Sequence, residues 1–222
     1  MTIHVGMLLY PGLTQLDLTG PFEVLHRVPD AKVHLVWKTM APVFADSGLG
    51  LVPTTTLEGC PPLDVVFVPG GSGQLPLMTD VAALAFLREH GARARWVTSV
   101  CTGALVLGAA GLLAGYEAAT HWAFMDLLPM LGAKPVRRRV VVDRNRVTGG
   151  GVTAGLDFGL RLAAAMAGDD LAKSIQLGLE YDPEPPFHCG HPDVAEPAIL
   201  ARVRASFDER YRARAEAVVR RS

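Results

Sequence analysis

One cysteine at the junction of an apolar run and a small-residue segment constrains this chain more than any other feature. Residues 96–111 read WVTSVCTGALVLGAAG, which predicts a buried strand, a turn at Cys101 and a helix over 102–113. Such a turn holds a nucleophile out of the sheet, with backbone N–H groups and the positive end of the helix dipole close to it. We therefore expect a nucleophilic Cys101 with a lowered pKa. The alternative is an inert core thiol, since free cysteine is often buried.

Strand-like and helix-like segments alternate along most of the chain. The Val/Ile/Leu-rich runs separated by helical segments predict an α/β fold with a mostly parallel sheet and helices on both faces, the flavodoxin-like three-layer sandwich with a cysteine nucleophile elbow. Predicted strands cover 3–9, 33–38, 65–68 and 96–100, predicted hairpins cover 44–54 and 140–148, and predicted helices cover 22–27, 80–90, 102–113, 122–131, about 152–166 and 172–179. We expect one domain over 1–222, with a Pro-rich segment and a terminal helix (194–220) after about residue 180.

Three loops follow strand ends, at 10–20, 69–73 and 101–103. The carboxyl ends of parallel strands share one edge, so we expect these loops to meet there. Asp17 lies in the first loop among leucines, where burial would raise its pKa and suit it to acid–base work. Equally, Asp17 could simply accept hydrogen bonds from nearby amides.

Glycines at 70–71 and at 150 are candidates for binding the reacting group. The N–H groups of Gly70 and Gly71 could form an oxyanion-type pocket together with the Thr102 N–H. A tight turn is the favoured interpretation of 149–151, which read GGG and miss the GxGxxG spacing. Gly150 is also a candidate residue of the oxyanion-type pocket.

The remaining nucleophiles and metal ligands give weaker signals. His121 is either a partner for Cys101 or the cap of the next helix, and the cap is favoured. Cys60 precedes two prolines and is expected to be inert. His188, Cys189 and His191 lie in one loop without a second ligand cluster, so we predict no metal site.

Charge and cysteine usage restrict the partners and the location. The formal net charge of −1 favours neither nucleic acid nor an anionic membrane surface. Three widely spaced cysteines suit a reducing compartment. We see neither a signal peptide nor a membrane span, and therefore expect a cytoplasmic protein.

Several motifs together carry a family resemblance. The strand ending in PGG, the elbow TSVCTGALVLGAAGLLAG, ATHW and TGGGVTAGLDFGL resemble the ThiJ/PfpI branch of the class I glutamine amidotransferase-like superfamily over roughly residues 3–180. Within that branch, QLDLTGP, the CTG elbow and LEYDPEPPFHCGHPD most resemble the isocyanide hydratase family.

The resemblance implies a homodimeric enzyme without metal or organic cofactor that hydrates an isocyanide to an N-substituted formamide. It implies that Cys101 is the nucleophile and forms a thioimidate, that Asp17 is the acid/base residue, and that Thr102 supplies a supporting hydroxyl. Three alternatives stay open. The region from CTGA to ATHW also resembles the ligand-sensing domain of AraC-type regulators, although about 40 residues after the core are too few for paired helix-turn-helix units. The other two are a cysteine hydrolase using His121 and a glyoxalase- or chaperone-like stress protein.

Overall fold

The computed structural model describes residues 2–208 and 213–219. The strands are β1 (Ile3–Leu8), β2 (Ala31–Trp37), β3 (Val43–Phe44), β4 (Gly50–Leu51), β5 (Thr55–Thr56), β6 (Val65–Val68), β7 (Trp96–Val100), β8 (Glu117–Ala118), β9 (Lys134–Pro135), β10 (Val140–Asp143) and β11 (Arg146–Gly149). The α-helices are α1 (Gln15–Leu25), α2 (Gln74–Leu77), α3 (Val81–Arg93), α4 (Gly103–Ala109), α5 (Ala154–Ala167), α6 (Asp169–Gly178), α7 (Pro197–Phe207) and α8 (Ala213–Val219). Two 3₁₀ helices cover Trp122–Leu127 and Pro129–Leu131.

Seven strands form one sheet in the order β10-β11-β7-β6-β1-β2-β5. All neighbours in it are parallel except β10 and β11, which form the predicted hairpin. Strand β6 is buried along its whole length, as a central strand covered on both faces must be. The mostly parallel α/β fold is therefore confirmed.

Helices α1, α5 and α6 pack together on the sheet, while α3 and α4 form the other helical layer. In the first layer, Phe67 of β6 meets Phe158 of α5 with ring centroids 5.4 Å apart. Close packing of α1 on α5 depends on small residues, because a Cβ at Gly155 would lie 2.9 Å from Cδ of Pro21. These contacts fix α1 beside the end of β1, where the site lies.

The beginning of α1 differs from the prediction. The predicted helix began after Pro21, with Asp17 in a loop, whereas α1 begins at Gln15 and contains both residues. Proline inside a helix removes one N–H donor, here the one that would reach the carbonyl of Asp17. Packing of the Pro21 ring against Gly155 outweighs the tendency of proline to lie at the start of a helix. Asp17 consequently lies in the first turn of α1.

Other element bounds needed smaller corrections. Helix α4 ends at Ala109 instead of residue 113, and the segment 122–131 forms 3₁₀ turns instead of one α-helix. The predicted terminal helix over 194–220 is described as two, α7 and α8, and its residues 209–212 and 220 lie outside the described part of the chain. Helix α3, predicted over 80–90, is capped by Asp80, whose Oδ1 accepts a hydrogen bond from Ala83 N at 3.0 Å.

Throughout residues 2–208 and 213–219, none of the helices has both the length and the hydrophobicity that crossing a membrane requires.

Candidate functional site

The three loops predicted to meet are hydrogen-bonded to one another at the carboxyl edge of the sheet. Thr14 N donates to Gly70 O at 2.9 Å, which joins the loop after β1 to the loop after β6. Gly71 N donates to Thr102 Oγ1 at 3.1 Å, which joins the second loop to the turn after β7. The site is thus built from three neighbouring strands of the sheet.

Cys101 is held in an unusual backbone conformation. Its φ of 56° lies in the left-handed region, which non-glycine residues rarely adopt outside functional turns. Its N–H donates to the carbonyl oxygens of Gly149 at 3.1 Å and Gly150 at 2.8 Å. Its own carbonyl oxygen accepts a hydrogen bond from Thr120 Oγ1 at 2.8 Å. The elbow is therefore fixed from two adjacent segments.

Asp17 is fully buried beneath the same loops. Its Oδ2 accepts a hydrogen bond from Gly70 N at 2.9 Å. Gly70 itself has no room for a side chain, because a Cβ there would lie 2.7 Å from Asp17 Oδ2 and 2.8 Å from Cys101 Cβ. The carboxyl and Cys101 are thus both packed against the position that a side chain of Gly70 would take.

The electrostatics of Asp17 suit proton transfer near neutral pH. Burial raises the pKa of its carboxyl from 3.8 to about 7. The hydrogen bonds from the Gly70 N–H and the Cys101 thiol favour the ionised form, but they offset burial only in part. A carboxyl with such a pKa can both accept and return a proton.

The expected lowering of the thiol pKa is wrong. Burial raises the pKa of Cys101 well above its ordinary value, and the negative charge of Asp17 raises it further. The backbone N–H and the hydroxyl of Thr102 act in the opposite direction without compensating. Since α4 has only seven residues, its dipole is too weak to overcome this desolvation. Cys101 consequently rests as a thiol and requires a base.

The expected oxyanion pocket also needs correction. The N–H groups of Gly70 and Gly71 donate to Asp17 and Thr102, and the N–H of Gly150 donates to Arg139 O at 2.9 Å. None of these three N–H groups is free for a substrate atom, and those of Gly70 and Gly71 instead hold the side chains of Asp17 and Thr102. Only the Thr102 N–H faces the sulfur of Cys101 as expected.

A cavity of about 220 Å³ opens onto Cys101. It is lined by Thr14, Asp46, Gly71, Ser72, Gln74, Cys101, Thr102, His121, Phe124, Val152 and Phe207. One wall is aromatic: the ring of Phe207 in α7 lies 4.8 Å from that of His121 and 5.9 Å from that of Phe124. The volume suits a small molecule with an apolar substituent.

Sequence reasoning missed several residues of this lining. Gln74 directly follows the Pro69–Gly73 loop and could have been found from that position. Phe207 has no comparable signal, because it lies more than 100 residues after Cys101 in a segment without a motif. Its place in the cavity depends on how α7 packs.

His121 has the structural role that was favoured for it. Its Nδ1 accepts a hydrogen bond from Ala123 N at 3.3 Å and so caps the first 3₁₀ helix. Burial lowers the pKa of His121 to about 4, which makes the neutral ring a weak base at pH 7. His121 therefore contributes to the wall of the cavity, and Asp17 is the better base for Cys101.

Neither the pKa of Cys60 nor the grouping of possible metal ligands indicates a second reactive centre among residues 2–208 and 213–219. Burial raises the pKa of Cys60 to about 11, which agrees with an inert thiol. In the described ranges, no group of three or more His, Cys, Asp or Glu side chains is arranged to hold a metal ion.

The burial of Asp17 has a consequence for stability that can be measured. The folded carboxyl keeps its proton up to about pH 7, whereas the unfolded chain releases it near pH 3.8. The free energy of unfolding therefore falls as the pH rises through this interval, by about 4 kcal/mol in total. We expect Asp17→Asn, which still offers Gly70 an acceptor, to be more stable than the wild type by a few kcal/mol at pH 8, in urea unfolding.

At pH 4 the same comparison should give little difference, because the wild-type carboxyl is then protonated. The matched variant Asp170→Asn changes an exposed carboxyl of α6 and should alter the free energy of unfolding by less than about 0.5 kcal/mol. Equal stability of Asp17→Asn and the wild type at pH 8 would contradict the raised pKa.

Comparisons with known proteins agree with this geometry. The sequence model of the DJ-1/PfpI family matches residues 4–165. The chain is 58% identical to an isonitrile hydratase of Pseudomonas putida over 93% of its own length and 91% of that protein. It is 30% identical to the HTH-type transcriptional regulator GbdR of Pseudomonas aeruginosa over 80% of its length, and there it spans only 50% of the relative. The crystal structure of a ThiJ/PfpI family protein from Pseudomonas syringae superposes with a TM-score of 0.96 at 45% identity, covering 99% of this chain and 91% of that one.

Proposed function

The chain belongs to the DJ-1/PfpI family, and we propose that within it the protein is an isocyanide hydratase. The reaction is R–N≡C + H₂O → R–NH–CHO, an addition of water without cofactor. The observation that carries the proposal is the contact between the buried Asp17 carboxyl and Cys101, which itself lines a small cavity with an aromatic wall. The 58% identity to an isonitrile hydratase over nearly the whole chain supports it.

In the first step, Asp17 takes the proton of the Cys101 thiol while the sulfur attacks the terminal carbon of the isocyanide. Asp17 then gives this proton to the same carbon, which yields the neutral thioimidate R–N=CH–S–Cys. The raised pKa of the thiol keeps the nucleophile protonated until its base acts. The carboxyl, with a pKa of about 7, can hold the proton between the two events.

In the second step, water adds to the thioimidate carbon. Asp17 accepts a proton from the water and transfers it to nitrogen, which gives R–NH–CH(OH)–S–Cys. Proton transfer from the hydroxyl group to the leaving sulfur, again through Asp17, releases R–NH–CHO and restores the thiol. Every proton removed is returned, so the steps sum to the addition of one water molecule.

Two alternative functions receive less support. An amide-cleaving cysteine hydrolase needs a histidine or another strong base at the thiol, and His121 is a helix cap with a pKa of about 4. The chain is 30% identical to a regulator of which it spans half, whereas it is 58% identical to an isonitrile hydratase of which it spans 91%. Neither alternative function accounts for the buried Asp17 carboxyl, which Gly70 holds beside Cys101.

We expect the purified protein to convert an aryl isocyanide to the corresponding formamide, followed by mass spectrometry. Cys101→Ala removes the attacking atom and should lower turnover to the uncatalysed rate. Cys60→Ala is the matched control, since Cys60 does not line the cavity, and it should retain wild-type activity. Absence of turnover by the wild type, or full turnover by Cys101→Ala, would refute the hydratase function.

The pH dependence tests Asp17 separately. Since Asp17 must be ionised to take the thiol proton, kcat/KM should rise with pH and level off above about pH 7, the pKa of this carboxyl. Asp17→Asn should lose this limb and about 10²- to 10⁴-fold in rate, as is usual when a general base is removed. An unchanged profile in Asp17→Asn would reduce Asp17 to a structural residue.

We also propose a homodimer, as the resemblance implies. Support comes from the hairpin of β3 and β4 beside the cavity, where Phe44, Leu49 and Val52 are 49–60% exposed, since such apolar patches usually mark interfaces. Light scattering should give twice the 23.7 kDa of one chain, and Phe44→Ser should reduce dimerisation while Val142→Ser on β10 should not. A wild-type mass of one chain would exclude the dimer. The cytoplasmic location and the absence of a nucleic-acid partner stay predictions.

A further inference from the structure

One side chain of the cavity has a buried polar atom for which the described part of the chain offers no hydrogen-bond partner. Gln74 begins α2 directly after the Pro69–Gly73 loop and is 2% exposed. Its backbone is satisfied, since its N–H donates to Gly71 O at 3.1 Å and its carbonyl accepts from Met78 N at 2.9 Å. Its side-chain Oε1 accepts no hydrogen bond from any described residue.

Buried side-chain oxygens are nearly always paired, so an unpaired one calls for an explanation. Three other buried atoms of the described chain share this property: Asp17 Oδ1, Trp96 Nε1 and Ser99 Oγ. Asp17 is used by the proposed reaction, and neither Trp96 nor Ser99 lines the cavity. Among these four, Gln74 combines an unpaired acceptor, a side chain that lines the cavity and no role in the proton transfers. Its Oε1 is itself shielded from solvent, so the amide group turns toward the cavity when it meets a ligand.

The substrate of the proposed reaction changes its hydrogen-bonding character as it reacts. An isocyanide R–N≡C has no N–H group and can donate nothing to a carbonyl oxygen. Once water has added and nitrogen has taken its proton, R–NH–CH(OH)–S–Cys carries an N–H donor, and so does the product R–NH–CHO. An acceptor without a partner in the free enzyme therefore gains one only after the covalent steps begin.

We propose that Gln74 Oε1 accepts the hydrogen bond of this new N–H group and is a further catalytic residue of the hydratase. This inference rests on the proposed function and deepens it. The bond forms as nitrogen is protonated, so it stabilises the second transition state without strengthening isocyanide binding. Gln74 also makes the site selective for intermediates in which nitrogen carries hydrogen.

Gln74→Met keeps the length of the side chain and removes the acceptor. We expect kcat to fall by about 10- to 100-fold, the factor associated with one hydrogen bond made in the transition state. KM for the isocyanide should change less than about 3-fold where it reflects binding, because the substrate has no donor. Gln176→Met makes the same substitution on the exposed side of α6, away from the cavity, and should match the wild type.

A binding measurement separates this role from a merely structural one and needs no turnover. In Cys101→Ala protein, calorimetry compares a formamide R–NH–CHO with its N-methyl form R–N(CH₃)–CHO, which lacks the donor. We expect the N–H compound to bind at least about tenfold more tightly, and this preference to disappear when Gln74→Met is added. Circular dichroism verifies that each variant is folded.

Gln74→Glu supplies a second variant that accepts but cannot donate when ionised. It should keep more of the preference for the N–H formamide than Gln74→Met does. The proposal is overturned if Gln74→Met retains wild-type kcat, if the preference persists in it, or if both variants lose the preference equally. Lack of isocyanide turnover by the wild type would refute the hydratase function, while the formamide comparison would still report on the acceptor.

Discussion

The hydrogen bond from Gly70 N to the carboxyl of Asp17 is the interaction on which the site depends. It ties the loop after β6 to the first turn of α1, and the next residue, Gly71, ties the same loop to Thr102. Only glycine fits at position 70, because a Cβ there would meet both Asp17 and Cys101. One backbone segment therefore sets the distance between the Asp17 carboxyl and Cys101.

Burial controls the chemistry of this pair more strongly than any formal charge. It raises the pKa of Asp17 towards neutrality and that of Cys101 far above its ordinary value. A thiol held protonated is a poor target for oxidants, which react with thiolate. Nucleophilicity is thus confined to the moment when a substrate and the adjacent carboxylate are both present.

The sequence predicted the sheet, the elbow and the convergence of three loops because these follow from apolar runs and glycine-rich turns. The prediction failed where contacts between distant residues determine the local structure. Asp17 and Pro21 lie inside α1 because Pro21 packs on Gly155, a contact between residues far apart in the chain. The helix dipole at Cys101 was overestimated because the depth of burial cannot be read from a local motif. Gly70, Gly71 and Gly150 lie next to Asp17, Thr102 and Cys101, but their N–H groups donate to protein atoms.

The reacting side chains and the cavity wall formed by α7 come from different parts of the chain. Cys101 and Asp17, the proposed nucleophile and base, lie within residues 4–165, the part that the family's sequence model matches. Phe207 comes from beyond that part and closes the cavity against His121. Changes in α7 can therefore reshape the space for the substituent R without disturbing the elbow. A catalytic core of this kind can acquire new substrates through its appended tail, with its reaction chemistry unchanged.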